Sequence, residues 1–172
     1  MEKKALEFAR KAHGDQQRKY KKELYIEHPI RVAEMLKEIP HTPEMISAAY
    51  LHDVVEDTEV TLKQINKEFG KKVGKLVEEL TDEFTKDKYP ELNRPWRKKK
   101  ETERIANVSS EAQSIKLADI IDNLPSISHN DSGFAKRYIP EMEALVQVLQ
   151  GGNQKLWERA QEVVNKAKEI GY

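Results

Sequence analysis

Residues 43–58 read PEMISAAYLHDVVEDT, and this stretch decides the fold class. Thr42 precedes this stretch and Pro43 is its first residue. Proline is tolerated in the first turn of a helix because its missing N–H would have no partner there. The run from Met45 to Leu51 is apolar nearly all round, a pattern typical of a buried central helix. The run ends in a polar pair, His52-Asp53. Because burying unsatisfied polar groups costs free energy, the pair indicates a functional site.

Helical periodicity extends over most of the chain. The sequence predicts a helix start at His28-Pro29 and a short helix capped by Thr61 and ended by Gly70. No stretch shows the alternation of apolar and polar residues that is typical of a strand, and no linker or internal repeat divides the chain. We therefore expect one all-α domain, a helical bundle over residues 1–172.

Caps and helix breakers predict the element boundaries in the second half of the chain. Trp96 to Asn107 is expected to form a strongly basic helix. Ser110 is expected to cap a helix that Pro125 stops, because an interior proline removes a backbone hydrogen bond. The remaining predictions are a turn over 130–133, a helix from Phe134 to Leu149 and a break at Gly151-Gly152.

Composition argues against several classes of function. The 172 residues include 30 Lys and Arg and 30 Asp and Glu, and this neutral balance argues against general nucleic-acid binding. There is no cysteine, so a metal would need His, Asp and Glu ligands, which suit Mn, Fe, Zn or Mg. We see neither a signal-peptide pattern nor an apolar stretch of membrane-spanning length. A soluble, cytoplasmic protein is expected.

The polar pair His52-Asp53 belongs to a larger set of residues that can bind a metal. Glu56 and Asp57 follow one turn later, on the face that the pair would share if the helix continued. His28 stands just ahead of a helix, and Asp119 interrupts an apolar helix face. Two imidazoles and two carboxylates bind a divalent cation and leave positions open for water and substrate. Singly, each histidine could instead be a satisfied core residue; the order of the whole set favours a metal site.

Five motifs carry a resemblance to a known family. The chain resembles the HD superfamily and, within it, the hydrolase domain of RelA/SpoT-type proteins and the stand-alone small alarmone hydrolases. The resemblance covers residues 5–150. The matching motifs are Ala12-His13 with Gln16 and Arg18-Lys19 ("AHxxQxRK"), Tyr25 to Pro29 ("YIxHP"), Leu51 to Thr58 ("LHDxxEDT"), Phe69-Gly70 with Leu76 to Thr81 ("FG…LVxxLT"), and Lys116 to Asp119 with Asn123-Leu124 ("KLADxxxNL").

The resemblance implies a single HD-domain helical bundle and a role for each matching residue. One Mn²⁺ per chain is the implied cofactor, and Glu56 and Asp57 are implied to orient or activate the attacking water. Asn123 is implied to contact the substrate near the metal, and Tyr138 to lie against the nucleotide. The implied metal ligands are His28, His52, Asp53 and Asp119, and the implied nucleotide contacts are Arg18 and Lys19.

The implied activity is that of a manganese-dependent guanosine-3′,5′-bis(diphosphate) 3′-pyrophosphohydrolase of the stringent response. Water would attack the 3′-phosphate ester and release pyrophosphate. No synthetase region follows, so the resemblance implies a stand-alone enzyme. The expected partner is a small phosphorylated nucleotide, without nucleic acid or membrane, and the sequence gives no indication of oligomeric state.

Three stretches depart from the family pattern around the expected base and phosphate pocket. They are 20–24, Asp122 and 125–128. One alternative is therefore an HD phosphohydrolase that acts on another phosphorylated nucleotide, for example NADPH. Another is a non-catalytic nucleotide sensor. A degenerate sensor should have lost a metal ligand or the Glu-Asp pair, and all of these residues are present.

A basic run between 94 and 104 forms the strongest local charge asymmetry. Charge runs are usually solvated helix faces. The alternative is a basic wall near the metal that accepts the substrate's second phosphate group, with Arg94 and Arg97 as candidates. A nucleic-acid patch is disfavoured by the zero net charge. Phe134 and Tyr138, four residues apart, are either core residues or a stacking surface for a base.

Overall fold

All regular secondary structure in the described part of the chain is helical. The structure is a computed structural model and describes residues 1–170, in which the only bridge of strand type joins Gln17 to Leu24. The all-α fold class is confirmed for these residues. The helices are α1 Glu2–His13, α2 Glu27–Lys37, α3 Pro43–Leu51, α4 Val54–Asp57, α5 Leu62–Phe69, α6 Lys71–Leu80, α7 Arg94–Ile105, α8 Ser110–Asn130, α9 Ser132–Val148 and α10 Gln154–Ile170.

Helices α3 and α8 form the centre of the bundle. Every residue from Met45 to Leu51 is buried, which confirms α3 as the central helix that its apolar run predicts. Helices α1, α2, α6 and α8 pack around α3, and α8 also packs against α2, α9 and α10. Burial of each large side chain, such as Leu51 or Leu117, contributes about 1.5–3 kcal/mol. The two helices therefore provide a rigid frame for polar side chains at their inner faces.

The predicted helix starts at Thr42 and Thr61 and the predicted helix end at Gly70 are confirmed. The Thr42 side chain accepts a hydrogen bond from the Met45 N–H and begins α3. Thr61 and Gln64 form a reciprocal capping box at the start of α5. Gly70 ends α5 with φ 87°, a conformation in which a side chain would be strained.

Four predicted boundaries in the second half are wrong. Helix α8 continues through Pro125 to Asn130, although Pro125 has no N–H to donate to the Ile121 carbonyl; in the turn that follows, the hydroxyl of Ser128 and the ring of His129 bond the Pro125 carbonyl at 3.1 and 2.7 Å. The predicted turn shrinks to Asp131, whose carboxylate caps α9. Ser109 rather than Ser110 caps α8, and Asn93 caps α7, so α7 begins two residues earlier than predicted.

The break at Gly151-Gly152 is confirmed, and it places the start of α10 directly against α8. The Gly151 N–H donates to Gln113 Oε1 at 3.0 Å, and the Asn153 N–H donates to Ser114 Oγ at 2.8 Å. A Cβ at Gly152 would lie 2.8 Å from Leu117 Cδ1 and 3.2 Å from the Gln113 backbone. The close approach therefore requires glycine at 152. None of the helices within residues 1–170 has the length and apolar character that a membrane span needs.

We predict that Gly152→Ala lowers the free energy of unfolding by about 1–3 kcal/mol, because the added methyl group overpacks the contact with α8. The matched control is Gly133→Ala, whose Cβ would meet only Asp131 Oδ1 at 3.8 Å and should be neutral or slightly stabilising. Urea unfolding of both variants measures the difference. Equal midpoints for the two variants would contradict the packing argument.

Candidate active site

Four side chains from three parts of the chain meet at the inner end of a cleft. His28 comes from α2, His52 and Asp53 from the α3–α4 junction, and Asp119 from α8. Nε2 of His28 lies 3.1 Å from Asp119 Oδ1, and Nε2 of His52 lies 3.1 Å from Asp53 Oδ2. The two remaining nitrogen–oxygen distances between the pairs are 3.6 and 3.7 Å. The structure thus brings together all four residues that the resemblance implies as metal ligands.

Both histidines present the same ring nitrogen to this cluster. The Nδ1–H of His52 donates to the Ala49 carbonyl at 2.7 Å, and the Nδ1–H of His28 donates to Asp122 Oδ2 at 2.6 Å. These bonds fix the ring orientations and direct each Nε2 at the carboxylates. Each Nε2 is buried without a hydrogen-bond partner. A cation would satisfy both atoms.

The carboxylates of the cluster are held ionised. Burial by itself would raise the pKa of Asp119, but the Lys116 ammonium, whose Nζ is 2.8 Å from Asp119 Oδ2, and the two imidazoles hold it well below its usual range. The pKa of Asp53 is lowered as well, since the charge of His52 outweighs the effect of burial. Ionised oxygens beside two unpartnered nitrogens fit a divalent cation, and His28, His52 and Asp119 can hold one.

Hydroxyl and amide groups complete the surroundings of the cluster. The Tyr25 hydroxyl donates to Asp53 Oδ2 at 2.6 Å, and the Asn123 amide donates to Asp119 Oδ1 at 2.6 Å. Sequence reasoning gave no role to Tyr25 or Lys116, although both lie in matched motifs. It noted Asp122 only as a departure from the family pattern. No local pattern signals the bond between Asp122 and His28, because it joins α8 to α2.

Glu56 and Asp57 lie on the short helix α4 rather than on the helix of His52, and they line a separate concavity of about 820 Å³ together with His13 and Gln16. Helix α3 ends at Leu51 and the short α4 begins at Val54, so the single continuous helix face expected for the four residues is wrong. Glu56 is accessible to solvent but lies in a crowded concave region, where it accepts a hydrogen bond from the Asp82 N–H. Partial desolvation and the charge of Asp82 raise the pKa of Glu56 to about 7. A carboxyl group with that pKa can exchange a proton near neutral pH.

Two adjoining cavities extend from the cluster. The inner cavity, of about 180 Å³, is lined by Asp53, Asp119, Lys116 and Lys98 among others. The outer cavity, of about 270 Å³, lies between the α1–α2 loop and the C-terminal part of α8 with the start of α9. Both cavities share the side chains of Tyr25, Asn123 and Tyr138 as walls. The shared walls make one cleft with a polar inner end and an aromatic outer end.

The candidate nucleotide contacts line the outer cavity. Arg18 Nη1 donates to Asn123 Oδ1 at 2.8 Å, so its guanidinium is already engaged, whereas Lys19 is exposed at the rim above the ring of Tyr20. Tyr138 stacks against Phe134, with ring centroids 5.3 Å apart. The two alternatives for this aromatic pair are core residues and a stacking surface for a base. Both rings line the outer cavity, where a base could stack on them.

The basic run contributes a different residue from the two candidates. Arg94 forms a paired salt bridge with Glu141, with both N···O distances 2.8 Å, and Arg97 donates to the Leu92 carbonyl. Neither lines the inner or outer cavity. Lys98 does line the inner cavity, where its Nζ lies 3.6 Å from Asp82 Oδ2. Lys98 is therefore the α7 lysine that lines the inner cavity beside Asp53 and Asp119.

A sequence profile described as HD domain matches residues 5–145. The chain belongs to the HD domain family. A mouse relative named guanosine-3′,5′-bis(diphosphate) 3′-pyrophosphohydrolase MESH1 is 35% identical over 90% of this chain and 87% of its own length. A protein of Aquifex aeolicus with the same enzyme name, without MESH1, is 48% identical over 38% of this chain, a match that spans only 9% of that longer protein.

A solved structure supports the same relationship. It was described under the heading "A metazoan ortholog of SpoT hydrolyzes ppGpp and plays a role in starvation responses", and it superposes with a TM-score of 0.84 at 31% identity. The superposition covers 96% of this chain and 94% of the other. The HD-type fold is thus shared along nearly the full length of both chains.

We predict that the wild type binds about one divalent ion per chain and that Asp53→Ala and His52→Ala lose it, because each removes a donor that no neighbour replaces. The matched control is His129→Ala, since His129 is exposed and its ring bonds only the Pro125 carbonyl. Elemental analysis after gel filtration measures the metal content. The assignment fails if Asp53→Ala carries as much metal as the wild type.

Proposed function

We propose that this HD-family chain is a guanosine-3′,5′-bis(diphosphate) 3′-pyrophosphohydrolase that uses Mn²⁺. The observation that carries the proposal is the pair of buried Nε2 atoms of His28 and His52, unpartnered and facing ionised carboxylates at the end of a nucleotide-sized cleft. The names of the mouse and Aquifex relatives support the choice of substrate. Pyrophosphate and a nucleoside 5′-diphosphate with a free 3′-hydroxyl would be the products.

The metal ligands in this proposal are His28, His52, Asp53 and Asp119. A bound cation supplies Lewis-acid chemistry: it acidifies water and draws charge from phosphoryl oxygens. The Lys116 ammonium, held beside Asp119, adds positive charge at the inner cavity, where a pyrophosphate group would bind.

Glu56 and Asp57 are the proposed proton acceptors. Burial and the charge of Asp53 also raise the pKa of Asp57. The deprotonated form of Glu56, available above about pH 7, would take a proton from the attacking water, and the leaving 3′-oxygen would take up a proton in turn. No covalent intermediate with the protein is needed, and the chain contains no cysteine that could form one.

The outer cavity is the proposed site for the base and ribose. Tyr138 would lie against the base, Lys19 at the rim would face the 5′-phosphates, and Asn123 would bridge the two cavities. Arg18 would act mainly by holding Asn123, given the 2.8 Å bond between them. Arg94 and Arg97 remain proposed phosphate contacts only for a substrate that extends past the cleft.

A second candidate substrate follows from the loop that departs from the family pattern. The Tyr20 hydroxyl donates to Asp131 Oδ2 at 2.6 Å, and Tyr20 lines the outer cavity. This contact changes the wall that would meet the base. The same machinery could therefore act on another phosphorylated nucleotide, such as NADPH, and the non-catalytic sensor is the third candidate.

The domain extent, the cellular compartment and the partners of the protein belong to the same proposal. We infer one HD-type domain over residues 1–172, of which 1–170 are described, acting in the cytoplasm on a small phosphorylated nucleotide. We propose no nucleic-acid or membrane partner, in keeping with the zero net charge.

We predict that Glu56→Gln lowers kcat by about 10²–10⁴-fold while metal content stays near that of the wild type, because the amide cannot accept a proton. For the wild type, kcat should fall as the pH drops through about 7, where Glu56 becomes protonated. The control is Glu59→Gln, an exposed carboxylate three residues further on. A Glu56→Gln enzyme with near wild-type kcat at saturating Mn²⁺ would remove Glu56 from the mechanism.

The substrate prediction is release of pyrophosphate from ppGpp with the 5′-diphosphate left intact. The test compares ppGpp, pppGpp, ppApp and NADPH at equal concentration with Mn²⁺, with products resolved by ion-exchange chromatography. Cleavage of another compound at least about tenfold faster than both guanosine compounds, a difference of about 1.4 kcal/mol in transition-state stabilisation, would replace the alarmone assignment. If one nucleotide binds tightly and none is cleaved, the protein is a sensor.

A further inference from the structure

The guanidinium of Arg31 on α2 donates hydrogen bonds to two carboxylates that belong to different parts of the fold. Its Nε and Nη2 donate to Asp122 Oδ1 and Oδ2 of α8 at 2.7 and 3.2 Å. Its Nη2 and Nη1 donate to Glu23 Oε1 and Oε2 of the α1–α2 loop at 2.7 and 3.2 Å. The planar guanidinium thus makes a paired contact with each carboxylate. No step of the proposed reaction uses Arg31.

On one side, this contact leads directly to a proposed metal ligand. Asp122 Oδ2 accepts the Nδ1–H of His28 at 2.6 Å, and the side chains of Asp122 and His28 are 9% and 0% exposed. A carboxylate so placed needs cationic neighbours to remain ionised. Arg31 therefore keeps Asp122 in the position that directs His28 Nε2 into the cluster.

On the other side, the contact leads to the loop that carries the proposed nucleotide contacts. Glu23 Oε1 lies 3.8 Å from Arg18 Nε, and Arg18 Nη2 lies 3.7 Å from Asp122 Oδ2. Arg18 also holds Asn123, which in turn donates to Asp119. The loop is therefore bonded to the partners of two proposed metal ligands, and a shift in Asp122 changes the support of both.

We propose that Arg31 is a positioning residue that couples occupancy of the metal site to the order of the nucleotide-binding loop. The inference rests on the metal site of the proposed function. A cation that holds His28 fixes Asp122, and Asp122 fixes Arg31 and, through it, Glu23 and the loop. Because such coupling is reciprocal, loss of the anchor at Arg31 weakens metal binding as well as loop order.

The first measurement is the affinity for Mn²⁺ alone, by calorimetric titration of the chelator-treated protein. Arg31→Met should weaken binding by about 10–100-fold, the usual effect of losing a partner behind a metal ligand. Arg31→Lys keeps the charge but cannot form paired bonds to both carboxylates, so it should resemble Arg31→Met more than the wild type. The matched control is Lys37→Met, which removes the ion pair with Glu34 on the same helix and should change affinity less than about twofold.

The second measurement reads the loop itself. Lys19, Lys21 and Lys22 are exposed and offer cleavage sites for trypsin within the loop. In the wild type and in Lys37→Met, Mn²⁺ should slow cleavage at these sites by about fivefold or more. In Arg31→Met, saturating Mn²⁺ should change the rate less than about twofold. Mass spectrometry identifies the cleaved bonds.

A double-mutant cycle separates this role from a merely structural one. If Arg31 acts through Asp122, then adding Arg31→Met to Asp122→Asn should not weaken Mn²⁺ binding further. Multiplicative effects of the two substitutions overturn the proposal, as does an Arg31→Met protein with the Mn²⁺ affinity of Lys37→Met. A wild type that binds no divalent ion overturns it together with the metal site. A protein that binds Mn²⁺ but cleaves no nucleotide contradicts only the proposed reaction.

Discussion

Asp53 and Asp119 face His28 and His52 across distances of 3.1–3.7 Å at the centre of an apolar bundle. Ionised carboxylates in such a place lose much of their hydration, and they persist only where charges and donors replace water. Helix α8 and the α1–α2 loop supply these replacements. Lys116 and Asn123 bond Asp119, and the Tyr25 hydroxyl bonds Asp53.

Helix α8 provides most of the charged and hydrogen-bonding groups that replace water around the two carboxylates. Lys116, Asp119, Asp122 and Asn123 recur at three- and four-residue intervals, so their side chains lie on one face of the helix. That face meets α2 and the end of α3, where the two histidines lie. The apolar side chains on the rest of α8, among them Leu117, fix its rotation in the core. Packing of the core therefore sets the distances between polar groups in the site.

The sequence predicted what depends on local pattern and missed what depends on tertiary contact. The central helix and the cap at Thr61 follow from periodicity and capping chemistry, and the meeting of two His and two Asp side chains in one cluster follows from their order in the sequence. The end of α8 did not follow, because a proline inside a helical pattern predicts a helix end at the preceding residue, whereas α8 continues past Pro125. The engagement of Arg94 with Glu141 also could not be foreseen, since the partner lies on another helix. The bond from Asp122 to His28 joins residues 94 positions apart.

Pro125 separates two parts of helix α8 that contribute to different parts of the candidate site. The residues before Pro125 carry Asp119 and its partners, whereas Ser126 and Ile127 after it form part of the outer cavity wall. Because Pro125 cannot donate to the preceding turn, the two parts share one fewer backbone hydrogen bond. Substitutions after Pro125 would therefore alter the outer cavity wall with little effect on the residues proposed to hold the metal. The surface proposed to meet the base can thus vary separately from the groups proposed to carry out cleavage.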